Sequence, residues 1–196
     1  MVKILLEGKN VNLRVMERED VDFLSECFNN ISFWSEYEPI TQQRSKTERL
    51  KDFDNPSQLV TLAERQRFII QKKDGTKIGL IAHYLVLPNR WLEIGYDIIP
   101  IERGKGYGTE ATQLIIDYIF LSKNLHRIQA ITDVRNKPSQ RVLEKTGFQR
   151  EGTIRKSGYM RGAWTNAYLY SILREEWKEP RILTKQTQSR SLLTER

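Results

Sequence analysis

Hydrophobic and polar positions along this chain fall into short blocks whose period shifts between two and about 3.6 residues. Val11 to Val15 alternates and predicts a strand. Val21, Leu24 and Phe28 stand at helical spacing, so Asp20 to Phe28 predicts a helix that Asn29 and Asn30 close. Ile31 to Pro39 is an aromatic loop holding Phe33, Trp34 and Tyr37. Ser45 to Phe53 predicts a second helix, with a continuation toward Glu64 after Pro56. Arg67–Lys72, Lys77–Leu87 and Trp91–Ile99 predict three strands in close order. The turns between them, Lys73-Asp74-Gly75 and Pro88-Asn89-Arg90, make these strands an antiparallel meander.

The pattern then changes. Ala111, Leu114, Ile115, Tyr118 and Ile119 share one side of a helix predicted over Tyr107 to Leu121. Arg127 to Val134 predicts a strand, Pro138 to Thr146 a short helix stopped at Gly147, and Phe148–Ile154 and Ala167–Leu173 the final strands. Strand, helix, strand between Trp91 and Val134 is a parallel crossover unit. The predicted fold class is therefore α/β, a central mixed antiparallel and parallel sheet flanked by helices. No repeat or linker divides the body. Residues 1–177 read as one domain and 178–196 as a polar, basic tail expected to be mobile.

Composition narrows the class. Of 196 residues, 39% are hydrophobic and 29% charged, enough for a real core and against wholesale disorder. No run approaches the roughly 18 apolar residues of a membrane span, and the opening Met1 to Glu7 is too soon charged for a signal peptide. The lone Cys27 excludes an intramolecular disulfide and a cysteine metal site, so a cytoplasmic setting is expected and the thiol reads as a small packed residue. His83 and His126 are too few and too distant for a metal centre, and no metal is expected. Of the formal charge of +7, the tail supplies +3. The rest suits a solvated basic surface or a polyanionic coenzyme. Nucleic acid stays open as a partner, though no helix-turn-helix, zinc-finger or aromatic RNA-binding signature supports it.

The most informative stretch is Arg103-Gly104-Lys105-Gly106-Tyr107-Gly108-Thr109, between a predicted strand and the helix it opens. Glycines there let backbone N–H groups approach an anion, and the helix N-terminus favours negative charge, so phosphate or pyrophosphate is the fitting ligand. A Walker loop fails for want of Gly-Lys-Ser/Thr. A relaxed dinucleotide fingerprint is met by Gly106, Gly108 and Ala111, with Asp133 as a late acidic residue, but the preceding meander does not suit a Rossmann half. A purely structural turn is the third reading.

Arg103-x-x-Gly106-x-Gly108 resembles the (Gln/Arg)-x-x-Gly-x-(Gly/Ala) signature of the GNAT superfamily of N-acetyltransferases. Asn136 and Ser139, followed by Glu144-Lys145-Thr146-Gly147-Phe148, resemble that family's next segment, and Trp91 to Tyr96 its fourth strand. The opening Leu6-Glu7-Gly8 to Leu13-Arg14 and the ending Gly158 to Tyr168 are similar to the branch that acetylates ribosomal-protein N-termini. The resemblance spans roughly residues 6 to 175. It implies acetyl-coenzyme A as co-substrate in a V-shaped cleft between strands four and five. The amides of Arg103, Gly104, Lys105, Gly106, Tyr107, Gly108 and Thr109 would hold the pyrophosphate. Asn136 and Ser139 would lie near pantetheine and sulfur, and the backbone of Ile98 and Ile99 near the acetyl carbonyl.

Acetylating an amine requires loss of its proton, stabilisation of an oxyanion and help for the departing thiolate. Glu93, on the strand face it shares with Trp91, Gly95 and Asp97, is the candidate base; facing solvent, pairing an arginine or merely positioning the amine are its alternatives. Many family members carry a tyrosine where this chain has Leu143, which leaves Ser139 as the candidate hydrogen-bond donor to sulfur, with helix capping as its other role. The acceptor should enter opposite the coenzyme. Trp34, Glu36, Tyr37, Tyr159 and Trp164 are its candidate contacts, with Glu38 also able to attract a cation, though an isolated aromatic is core more often than ligand contact. A protein N-terminus comes first as acceptor; a small amine such as a polyamine, aminoglycoside or amino-acid derivative is the alternative. A non-catalytic acyl-coenzyme A-binding module is the competing reading from another class, and a homodimer and ribosome association are further partners to test.

Overall fold

The computed structural model describes residues 6–34, 37–38, 43–54, 65–86 and 91–178. The expected helix continuation toward Glu64, the Pro88-Asn89-Arg90 turn, Glu36 and the tail beyond residue 178 lie outside them.

Among the described residues eight strands form one sheet: β1 (Leu6–Glu7), β2 (Val11–Val15), β3 (Gln66–Lys72), β4 (Lys77–Val86), β5 (Trp91–Ile98), β6 (Arg127–Asp133), β7 (Gln149–Met160) and β8 (Ala163–Leu173). Their order is β1-β2-β3-β4-β5-β6-β8-β7. Only β5 and β6 are parallel; the other neighbours are antiparallel. Helices α1 (Val21–Asn29), α2 (Lys46–Asp54), α3 (Tyr107–Ser122) and α4 (Lys137–Lys145) flank it. The sheet is thus mixed as expected, its parallel pair at the centre.

Strand alternation divides the core between two faces. Phe68, Ile70, Ile81, Leu92 and Ile94 are buried together with Ala111, Leu114, Ile115 and Ile119 of α3. Ile69 and Leu80, one residue out of phase, pack instead with Val21 and Leu24 of α1. α3 is buried more widely than one stripe, because Trp177 covers its far side, packing on Phe120 and donating from Nε1 to Asp117 at 2.9 Å. The mostly polar α2 is started by a capping box: Ser45 Oγ accepts from the Glu48 N–H at 3.2 Å, and the Glu48 carboxylate accepts from the Ser45 N–H at 2.7 Å.

The final strands run further than their hydrophobic blocks predict. β7 and β8 continue to a two-residue turn at Arg161 and Gly162, with φ of 47° and 88°. Both values lie in the left-handed region that such hairpin turns require. The added length is mostly exposed, so it carries no apolar alternation to read.

Candidate active site

β5 and β6 pair at only two positions, Leu92 with Ile128 and Glu93 with Gln129, and part beyond them. A cavity of about 600 Å³ occupies the opening. Residues from both faces of each strand line it: Ile94 and Tyr96 as well as Gly95 and Asp97 on β5, and Ala130 through Asp133 on β6. The cavity therefore passes through the sheet. Gly95 keeps its floor clear, since a Cβ built there would meet nothing within 4 Å.

On the α3 side, Gly104 and Gly106 have φ of +76° and +87°, a region other residues rarely adopt, and a Cβ at either would stand in open space. No side chain caps α3, and the N–H groups of Gly106 to Thr109 have no acceptor among the described residues. Free amides on a helix N-terminus at an open glycine loop suit a pyrophosphate. Lys105 lies on the surface with Glu102 at 2.8 Å. Arg103 is turned inward: its Nε donates to Ile98 O at 2.8 Å, its Nη2 to Phe33 O at 2.7 Å and its own N–H to Pro100 O. The Ile99 N–H donates to Ile78 O at 2.9 Å, on the β4 side. By alternation, the N–H groups of Tyr96 and Ile98 face the edge that β6 has left.

Asn136 Oδ1 accepts from the Ser139 N–H at 3.1 Å and caps α4, so the capping role is realised. Ser139 also receives the Tyr96 hydroxyl at 3.2 Å, while the Tyr96 ring would lie 3.5 Å from a Cβ at Gly108. Tyr96 thus spans the N-termini of α3 and α4. Burial pushes its phenol up to about 12, which keeps it protonated. Leu143 lines the same cavity as an apolar wall.

On the α1 side, Asp97 hydrogen-bonds Glu38 in the cavity lining. Burial, and then the Glu38 charge and hydrogen bond, push the Asp97 carboxyl up to about 7 against the opposing pull of Arg103. Trp34 and Tyr37 line the same space. Trp34 stacks on Phe28 with centroids 5.1 Å apart and donates from Nε1 to Phe28 O at 3.1 Å.

Other expected site residues lie elsewhere. Glu93 is outside the lining, its carboxylate receiving the Tyr84 hydroxyl on one oxygen and Gln129 Nε2, at 2.7 Å, on the other. It fastens the apex where the strands part. Tyr159 and Trp164 are exposed and packed edge to face at 5.6 Å, also outside the lining, whereas their neighbours Gly158, Met160 and Thr165 face inward. Sequence reasoning gave Tyr96 no role and named Asp97 only as sharing the strand face of Glu93. The signal was their place at the C-terminal end of a strand that opens a parallel crossover, but only the parting of β5 from β6 brings both to the cavity.

A split central sheet thus carries an uncapped helix N-terminus at an open glycine loop on one face and a hydrogen-bonded carboxyl pair on the other, an arrangement suited to transfer of a group from a phosphate-bearing donor. The chain matches the family described as Acetyltransferase (GNAT) domain over residues 10–149. It is 32% identical over 178 residues to an uncharacterized N-acetyltransferase, p20, of Bacillus licheniformis, covering 88% of this chain and 97% of that one. The structure is similar to that of spermidine N-acetyltransferase from Vibrio cholerae in complex with CoA and spermine (25% identity, TM-score 0.73, 85% of this chain and 97% of that one). It is likewise similar to ribosomal-protein-S5-alanine acetyltransferase from Vibrio fischeri (26% identity, TM-score 0.72, 90% and 100%). The chain belongs to the GNAT acetyltransferase family, and it is an N-acetyltransferase.

Proposed function

We propose that this enzyme transfers the acetyl group of acetyl-coenzyme A directly to a primary amine, and that a peptide N-terminus is the first acceptor to test. The observation that carries the reading is the cavity through the sheet, whose wall Tyr96 joins to the Gly104–Thr109 loop on one side and which Asp97 and Glu38 line on the other. Acetyl-coenzyme A supplies a thioester carbonyl carbon as electrophile. Asp97 takes the proton that an ammonium must lose to become nucleophilic; near pH 7 its raised affinity suits that exchange. Glu38 shares that proton and its charge holds the cation in place. The N–H groups of Tyr96 and Ile98 are the donors available to a developing oxyanion. Tyr96, held by Ser139, is the hydroxyl available to donate to a thiolate. The proton acceptor is thus assigned to Asp97 and the donor to Tyr96, with Glu93 positioning the apex and Ser139 positioning Tyr96.

Two measurements test this. Acetyl-coenzyme A at about 100 times its dissociation constant should stabilise the protein by about 2.7 kcal/mol, a melting shift of several degrees. A nicotinamide dinucleotide should give no shift. Release of free thiol should then require a primary amine. No stabilisation by acetyl-coenzyme A, or thiol release indifferent to added amine, would overturn the reading.

A further inference from the structure

The end of the cavity away from the glycine loop is strongly cationic. Arg44, Arg49, Arg65 and Arg67 line it, with Asp52 as the acidic residue among them. Asp52 is taken by Arg44, which donates to it from Nη1. Arg49 Nη2 donates only to neutral Asn29, at 2.9 Å, its guanidinium lies over Phe28 at 5.5 Å, and its buried Nε has no partner. Arg65 and Arg67 have no hydrogen-bond or ion-pair partner among the described residues. Three guanidiniums therefore converge on one wall without a carboxylate of their own among the described residues. Burial, the neighbouring charge of Arg65 and that of Arg49 push the Arg67 guanidinium down to about 10 despite Asp52. Like charges held this close repel one another, and an anion relieves that repulsion.

Register places this wall relative to the chemistry. Arg67 pairs with Ala82, and Ala82 with Gly95, so one row runs from Arg67 over two small residues into the mouth of the split. The next row continues Arg65 past Tyr84 to Glu93. With strands about 4.8 Å apart and about 3.4 Å per residue, the Arg67 and Asp97 backbones lie about 12 Å apart. The glycine loop leaves β5 at its other end, five residues beyond Glu93, or about 17 Å along the strand. Arg65 and Arg67 are thus across the acceptor chamber from Asp97 and away from the coenzyme cradle.

We infer that the arginine wall is an anion-binding subsite for the acceptor, so that the amine acetylated here carries a carboxylate or phosphate. The inference rests on the acetyltransferase reading above and gives its substrate class. The carboxyl pair holds the ammonium and the guanidiniums hold the anion. In an extended peptide the anion falls on the second to fourth residue, as an acidic side chain. A polyamine, cationic at both ends, is repelled by the same wall.

The test compares acceptors in the thiol-release assay with the full chain. The first two are peptides with N-terminal Ala, one followed by two Glu and one by two Gln, both amidated. The others are β-alanine, O-phosphoethanolamine and spermidine. The acidic peptide should exceed the neutral one at least tenfold in kcat/KM, mainly through KM, and spermidine should be poorest. β-Alanine against O-phosphoethanolamine distinguishes carboxylate from phosphate. The double variant R65Q/R67Q should erase the preference, and R65K/R67K should retain part of it. Because neutralisation removes like-charge repulsion, R65Q/R67Q should melt no lower than the wild type without ligand, which separates the subsite from a fold role. Binding is read independently as the melting shift from the acidic peptide on protein saturated with coenzyme A. Preference for spermidine, equal use of acidic and neutral peptides, a preference that survives R65Q/R67Q, or no peptide-induced shift would overturn the subsite. Loss of the acetyl-coenzyme A shift itself would instead overturn the acetyltransferase reading.

Discussion

Replacing Asp97 with Asn separates the cost of the carboxyl from its use. The side chain keeps its size and can still hydrogen-bond Glu38, but it can no longer ionise. Raising the carboxyl from 3.8 to about 7 corresponds to roughly 4 kcal/mol against the charged form at high pH. Between these values the folded protein holds a proton that the unfolded chain has released, so wild-type stability falls as pH rises through about 4 to 7. D97N lacks that fall. Melting curves should coincide near pH 4 and diverge above pH 7, with D97N more stable at pH 8 by about 2 to 4 kcal/mol, or some 5 to 15 °C. Activity should move oppositely. The limb of kcat/KM that rises toward pH 7 should vanish, with a loss of about 10²- to 10⁴-fold. Equal stability of the two proteins at pH 8, or an unchanged limb in D97N, would refute the argument. If E93Q removed the limb instead, the proton would belong to Glu93.

Other residues give sharper single outcomes. Tyr96→Phe should lower kcat at least tenfold, with little change in the melting shift from acetyl-coenzyme A, because only the hydroxyl aimed at Ser139 is lost. Gly106→Val forces a β-branched residue to φ +87°, so it should cost about 1 to 3 kcal/mol of stability and abolish the acetyl-coenzyme A shift. Asp20→Ala should destabilise by about 3 to 5 kcal/mol in urea unfolding, since it leaves buried Arg14 without the two bonds of 2.6 Å that hold it. Burial alone would push the Asp20 carboxyl up, but bonds from Arg14, Lys77 and the Glu17 N–H hold it near 2, so wild-type stability should drop as pH falls from about 4 to 2 and Asp20→Ala should lack that drop.

The proposed coenzyme half of the site is legible in sequence because it is local. The spacing of Gly104, Gly106 and Gly108 before an amphipathic helix fixes a cradle whatever the rest of the chain does, and Asn136 with Ser139 fixes a cap. Periodicity also read β3, β4, β5, α3 and β6 to within a residue or so, since each buries a continuous apolar row. It fell short on β7 and β8, whose outer halves bury little and so leave no alternating trace.

The acceptor half is assembled from residues distant in the chain, and no spacing announces it. Glu38 meets Asp97 across 59 residues of sequence, and Arg49 stands beside Arg67 because α2 lies on the face where β3 turns its odd-numbered side chains. On the linear sequence Arg65 and Arg67 are two of many basic residues, and a net charge of +7 invites a reading as solvated surface. Only in the folded sheet do they come to line one wall beside Arg49 with no ion pair among the described residues. The same geometry separates the two kinds of charge in the chamber, carboxyl groups at the parting of β5 from β6 and guanidiniums toward β3. On the subsite inferred above, an enzyme built for a polyamine would gain nothing from that separation, whereas a zwitterionic acceptor would be aligned by it with its amine toward the thioester.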